Sequence, residues 1–196
     1  MISLYSGTPG SGKSFHMSQV VYYTMRSGHS VIGNFPFDCK KNTKGKYIYK
    51  DNEELTVQFL VNFARNNHKR GKEGQTLLCI DEAQLLFNCR EFLSAGRKQW
   101  VSFFIQHRKL GYDVILVSVF DRLLDRQIRS LVEYEVIHRK VNNFKFGNLI
   151  PFTTFVYITM WSVNKEKIAH QFSFYRKSIA RMYDSYKIFE EGQFVF

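Results

Sequence analysis

Gly7-Thr8-Pro9-Gly10-Ser11-Gly12-Lys13-Ser14 has the spacing G-x-x-x-x-G-K-S, and its surroundings suit that pattern. Before it runs a strand-like segment, Ile2 to Ser6; after it, Met17, Val20, Val21, Thr24 and Met25 recur at helical spacing. Strand, glycine-rich turn and helix are the context in which such a loop cradles phosphate. The glycines let consecutive backbone N–H groups turn inward, the helix start adds positive potential, and Lys13 can reach the β- and γ-phosphates. Gly7, Thr8, Pro9, Gly10, Ser11, Gly12, Lys13, Ser14 and Phe15 are therefore the expected nucleotide-binding residues, with Ser14 a ligand of Mg²⁺.

Outward from the loop, Leu77-Leu78-Cys79-Ile80-Asp81-Glu82 supplies a second element. An apolar strand, Thr76 to Ile80, ends on Asp81, which can hold the water shell of Mg²⁺. Glu82 follows directly, and a carboxylate there can orient and deprotonate water, as a hydrolase requires. The bland alternative is that Glu82 only caps the next segment. ATP and Mg²⁺ are the expected cofactors.

The remaining elements suit the same architecture. A short strand at Ser30 to Ile32 precedes an irregular basic region with Asn34, Pro36, Lys40, Lys41, Lys44 and Lys46, read as a surface insertion. Asp51, with Glu54 three residues on, predicts a helix start, with Leu55, Phe59 and Phe63 on one face and an end at His68-Lys69-Arg70-Gly71. Trp100, Phe103 and Phe104 mark a helix ending near Gly111, and Val114 to Val119 is another buried strand. A helix from Asp121 buries Leu124, Ile128 and Leu131 and carries Arg122, Arg126 and Arg129 on another face. From Glu133 onward the chain reads as β-rich: Phe152 to Trp161 and Ile168 to Tyr175 flank the turn Asn164-Lys165-Glu166-Lys167 as a hairpin. The expected class is α/β, a mostly parallel sheet flanked by helices with an added C-terminal antiparallel hairpin. Residues 1–196 form one domain in this reading, with 1–132 the nucleotide-binding core and 133–196 its β-rich extension.

Composition bounds the partners. The chain has 196 residues, 44% of them hydrophobic, enough for one α/β core but not for two full-sized domains. A net charge of +11 suggests attraction to nucleic acid or anionic lipid. Cys39, Cys79 and Cys89 lack the paired spacing of a zinc site or a disulfide framework, which fits a reducing compartment. The uncharged stretch from Phe146 to Asn164 contains Pro151 and several polar residues and reads as strand, not membrane span. No signal peptide precedes Ile2, so the expected location is cytoplasmic.

Phosphoryl transfer builds charge that a guanidinium can neutralise, often from a neighbouring subunit. Arg97, Arg108, Arg126 and Arg129 are the candidates, each with an ordinary surface ion pair as the competing role. Ser118, at the strand tip after Val117, can contact phosphate or water. His107 and Cys79 carry no special signal. Phe and Tyr in the final third of the chain could stack on bases but read mainly as core.

The loop, Ile80-Asp81-Glu82-Ala83-Gln84, Gln106-His107-Arg108 and Phe120-Asp121-Arg122 through Gln127-Ile128-Arg129 together resemble the zonula occludens toxin family, which includes the assembly ATPases of filamentous phages. The resemblance covers roughly residues 1 to 180. It implies an FtsK/HerA-like motor fold related to RecA, and ATP sites between the subunits of a homo-oligomeric ring, by analogy a hexamer. It also implies work on single-stranded DNA or on phage coat and assembly proteins, beside a membrane-embedded partner at the inner face of the cell membrane. In that family pattern Lys13 and Ser14 match the nucleotide loop, Asp81 and Glu82 the metal and water-activating pair, and Arg108, Arg126 and Arg129 the basic positions. Two departures stand out. Val119 takes a strand-tip position that commonly holds a polar residue, and the chain ends at Phe196 without the membrane span common in phage members. A nucleotide-gated switch with negligible hydrolysis is the alternative reading, and a small-molecule kinase a further one, against which Glu82 argues.

Overall fold

The computed structural model describes residues 1–39, 42–88, 95–143 and 152–183. Lys40 and Lys41 of the basic insertion, Cys89, the part of the uncharged stretch before Phe152, and the end of the chain beyond Tyr183 lie outside the described residues.

Alternation of side chains along short apolar strands sets the architecture. β1 (Ile2–Ser6) and β4 (Thr76–Ile80) are buried at every position. In β4, Leu78 and Ile80 enter one core cluster, while Leu77 and Cys79 enter another on the opposite face. A strand buried on both faces needs a layer on each. α1 (Lys13–Arg26) contributes Met17, Val21 and Met25 to the second cluster. α2 (Val57–Asn67) and α3 (Ala95–Leu110) contribute Leu60, Ala64, Phe103 and Phe104 to the first.

With β2 (Ser30–Gly33), β3 (Tyr47–Tyr49), β5 (Tyr112–Val117), β6 (Tyr134–Lys140), β7 (Thr154–Trp161) and β8 (Lys167–Phe174), the described residues form an eight-stranded sheet in the order β3-β2-β4-β5-β1-β6-β7-β8. The pairings from β3 across to β6 are parallel; β7 and β8 are antiparallel additions. This is an α/β fold, a mostly parallel sheet flanked by helices, with the expected C-terminal hairpin. β5 lies between the loop strand β1 and the Asp81 strand β4. The C-terminal ends of β1, β2, β4, β5 and β6 therefore share one edge of the sheet, the edge where ligands bind in open α/β folds. Two shorter helices, α4 (Arg126–Ser130) and α5 (Lys177–Ala180), complete the layers. Among the described residues, no helix is long and apolar enough to cross a membrane.

Three elements depart from the sequence reading. The basic region, expected to be irregular, holds the short edge strand β3. The helix expected from Asp51 begins instead at Val57: the Asp51 carboxylate accepts the N–H groups of Glu53 and Glu54 and so closes a single turn. Thr56 is then extended and caps the true helix by accepting from Phe59 N–H. The helix expected from Asp121 is likewise divided. Asp121–Leu123 form a 3-10 turn, Leu124 is extended, and Asp125 caps α4 by accepting from Gln127 and Ile128 N–H. In both places a single turn comes first, and Thr56 or Asp125 caps the α-helix that follows.

Candidate nucleotide site

The loop between β1 and α1 is shaped by its glycines and held from below. Gly12, with φ 96°, is the N-cap of α1 and offers no side chain to the helix start. The first intrahelical bond runs from His16 N–H to the Gly12 carbonyl. Consequently the N–H groups of Lys13, Ser14 and Phe15 point out of the helix start with no intrahelical acceptor. No acidic residue sits in that first turn, so the positive end of the helix dipole is left for an anion. A β-carbon added at Gly10 would meet nothing within 4 Å, while the Ser11 hydroxyl is buried without a partner among the described residues. An open concavity lined by unpaired donors fits a polyphosphate.

Gly12→Ala is expected to destabilise the fold by roughly 2–4 kcal/mol, read as a lowered urea midpoint. The added β-carbon would lie 2.6 Å from the Phe155 ring, itself buried, and an L-residue is strained at this φ.

Lys13 is the cation of the site. Its Nζ donates to the carbonyls of Gly7 at 2.7 Å and Thr8 at 3.3 Å, a folded-back position inside its own loop. Burial lowers its pKa, and the carboxylates of Glu82 and Asp81 partly offset that shift. Asp81 follows β4 and is almost fully buried. Burial raises its pKa, against hydrogen bonds from the Tyr183 phenol and the Glu82 N–H. Asn34, at the end of β2, clasps the Asp81 backbone from both sides: its Oδ1 accepts from Asp81 N–H at 2.7 Å, and its Nδ2 donates to the Asp81 carbonyl at 2.9 Å. Glu82 is exposed and has φ 45°, uncommon for a side chain with a β-carbon. That backbone turns its carboxylate out of the strand line, and Gln84 Nε2 donates to Glu82 Oε2. Ser14 stands in the first turn of α1, so its hydroxyl and Asp81 could hold a divalent cation between them. A hydroxyl plus a carboxylate, with room for water, is hard oxygen chemistry suited to Mg²⁺.

The other candidates fall into different places. Phe15 sends its side chain into the core, against Phe155 and Tyr175 at 5.6 and 5.4 Å, so only its backbone faces the loop. Ser118 is fully buried and donates its hydroxyl to the Phe120 carbonyl. The strand tip instead meets the loop through backbone: the Val119 carbonyl accepts from Gly7 N–H. Arg97 is tied to Asp125 at 2.6 Å, an ion pair of low exposure that joins α3 to the cap of α4. Arg108 pairs with Glu133, whose neighbours are the starts of β1 and β6; that is the opposite edge of the sheet from the loop. Arg129 lies 3.7 Å from Asp121, and Arg126 is exposed on α4. A cleft of about 480 Å³ opens beside Gly7 and Thr8, between the β5 exit at Val119–Asp121 and the end of β6 at His138–Lys140.

Besides Asn34, two further positions at the site carry no sequence signal. His138, on β6, places Nδ1 3.1 Å from the Ser6 carbonyl, directly under Gly7. A carbonyl can only accept, so Nδ1 carries the proton, and neutral His138 accepts from His16 at Nε2, 2.9 Å away. Burial pushes the pKa of His16 down to about 3 and of His138 to about 4, which keeps both neutral near pH 7. The second is Tyr183, whose hydroxyl donates to Asp81 Oδ2 at 2.6 Å.

The model of the zonular occludens toxin (Zot) family matches residues 1–188. Relatives include the gene 1 protein of Enterobacteria phage I2-2, 25% identical over 159 residues, covering 76% of this chain and 44% of the relative. That of Enterobacteria phage fd is 28% identical, covering 78% and 44%. The chain thus spans less than half the length of these relatives. Among solved structures, the N-terminal domain of zonular occludens toxin from Neisseria meningitidis has a TM-score of 0.56 at 21% identity, covering 93% of this chain and 98% of that one. The genome packaging NTPase B204 of Sulfolobus turreted icosahedral virus 2, in complex with ATP-gammaS, scores 0.58 at 15% identity, covering 87% and 96%.

Proposed function

Since the chain belongs to the zonular occludens toxin family, we propose that it is the ATP-hydrolysing motor domain of a protein that assembles or exports a filamentous, single-stranded DNA phage. The observation that carries this reading is the convergence of Lys13, Asp81 and Glu82 on one edge of the sheet, beside an α1 start with unpaired N–H groups. The reading takes residues 1–196 as one unit, with 133–196 extending the core 1–132, because β6 pairs with β1 on one side and β7 on the other.

In this mechanism the loop N–H groups and Lys13 bind the phosphates, and the lysine exchanges its own loop carbonyls for phosphate oxygens. Ser14 and Asp81 would hold Mg²⁺, which would supply positive charge against the phosphates. Glu82 orients a water in line with the terminal phosphate and takes its proton. His138 fixes the floor of the loop through Ser6. Of the candidate arginines, Arg97 is committed to Asp125 and Arg108 is at the far edge. A second copy in a ring would supply Arg108, Arg126 or Arg129 through the cleft beside Gly7 and Thr8. The site works at the cytoplasmic face of the membrane, and the +11 charge suits DNA or anionic lipid.

The nucleotide-gated switch is the second reading. It is favoured by the strand tip, where Ser118 is turned to the Phe120 carbonyl and Val119 offers no polar side chain. Phosphate release from Mg·ATP over a range of protein concentrations separates the two. The motor reading expects specific activity to rise with concentration as interfacial sites form; tight ATP binding with no release at any concentration would leave only the switch.

A further inference from the structure

Tyr183 stands in the segment Lys177–Tyr183, which is anchored independently of the nucleotide site. Ile179 and Met182 are buried, the Met182 carbonyl accepts from Asp38 N–H at 2.8 Å, and Tyr183 forms an antiparallel bridge with Phe37. The ring meets Phe35 edge-on at 5.3 Å. From that anchor the phenol donates to Asp81 Oδ2 at 2.6 Å, a charge-assisted distance, and the Ser14 hydroxyl faces the same phenol. One oxygen, from a residue 102 positions away in sequence, therefore stands between the two side chains assigned to the metal.

A phenol has a single proton, and here it is spent on Asp81. A phenol keeps its proton near pH 7, and a neutral phenol oxygen is a poor ligand for a hard cation. Mg²⁺ demands octahedral oxygen geometry at about 2.0–2.1 Å and keeps several waters. A phenol oxygen bonded to Asp81 fills the place one of those waters would take. We infer that Tyr183 is a latch on the metal position: binding of Mg·ATP displaces its hydroxyl from Asp81 and loosens the 177–183 segment from its bridge to Phe37. The coupling is reciprocal. Whatever draws the segment away eases loading of the site, and a loaded site frees the segment for a partner. This inference rests on the assignment of Ser14 and Asp81 to Mg²⁺.

The test uses the full chain and a non-hydrolysable fluorescent ATP analogue, titrated with Mg²⁺. Tyr183→Phe keeps the ring on Phe35 and removes only the hydroxyl. The Mg²⁺ concentration for half-maximal analogue binding is expected to fall about tenfold in the variant. In the wild type, the amides of Asp38 and Met182 should exchange faster with Mg²⁺ and analogue together, but not with analogue and chelator. An equal or higher Mg²⁺ requirement in Tyr183→Phe, or slower exchange on loading, would overturn the latch while leaving the metal site standing. Analogue binding indifferent to Mg²⁺ in the wild type would instead remove the metal assignment itself, and the latch with it.

Discussion

Lys13→Ala is expected to lower ATP turnover by about 10²–10³-fold and to weaken nucleotide binding as well. The ammonium is the cation of the loop, and its present partners are carbonyls of that loop, Gly7 and Thr8, and not another element of the fold. Alanine therefore removes a phosphate donor and leaves the packing of α1 on the sheet in place, because Met17, Val21 and Met25 hold that helix down. Circular dichroism and the urea midpoint should stay close to wild type while phosphate release vanishes. Turnover surviving within about threefold would mean that the loop is not where ATP reacts.

Glu82→Gln is expected to separate binding from chemistry. The side chain is exposed and its contact is with Gln84, so the isosteric amide costs little stability. It cannot accept the proton of the attacking water, a role that contributes typically about 10²–10⁴-fold. Turnover should fall by that order while the affinity for ATP stays within about threefold. Single-turnover measurements should show a long-lived ATP complex. A variant that hydrolyses at the wild-type rate would transfer water activation to another group and revive the view of Glu82 as a cap for the turn after β4.

These two substitutions address residues that stand in short, contiguous patterns, and that is why both are legible in the sequence alone. The same holds for the hairpin β7–β8, whose alternating runs flank a charged turn. Where a helix begins is less legible. Asp51 and Asp121 are both capping residue types, yet Asp51 closes a single turn with its carboxylate and Asp121 one with its backbone carbonyl, and Thr56 and Asp125 start the helices a few residues on. Local propensity proposes several starts; the one used is the one whose apolar stripe reaches the core, as Leu60 and Ile128 do. Arginine spacing suggests a shared face along one helix. The break at Leu124 divides that helix, and the nearest carboxylates, Asp121, Asp125 and Glu133, take up Arg129, Arg97 and Arg108.

What the sequence determined by itself was the chemistry that needs only neighbours: consecutive N–H groups at a glycine-rich helix start, a lysine among them, an aspartate and glutamate at the end of an apolar strand. Strand order had no such local record. Only the tertiary structure placed β5 between the loop and Asp81, set Asn34 on the Asp81 backbone, put His138 under Gly7 and carried Tyr183 to the Asp81 carboxylate. Each of these side-chain contacts joins residues at least 47 positions apart. Such contacts follow from which strands pair and which helix faces are covered, a property of the whole buried core and not of any stretch that can be read alone.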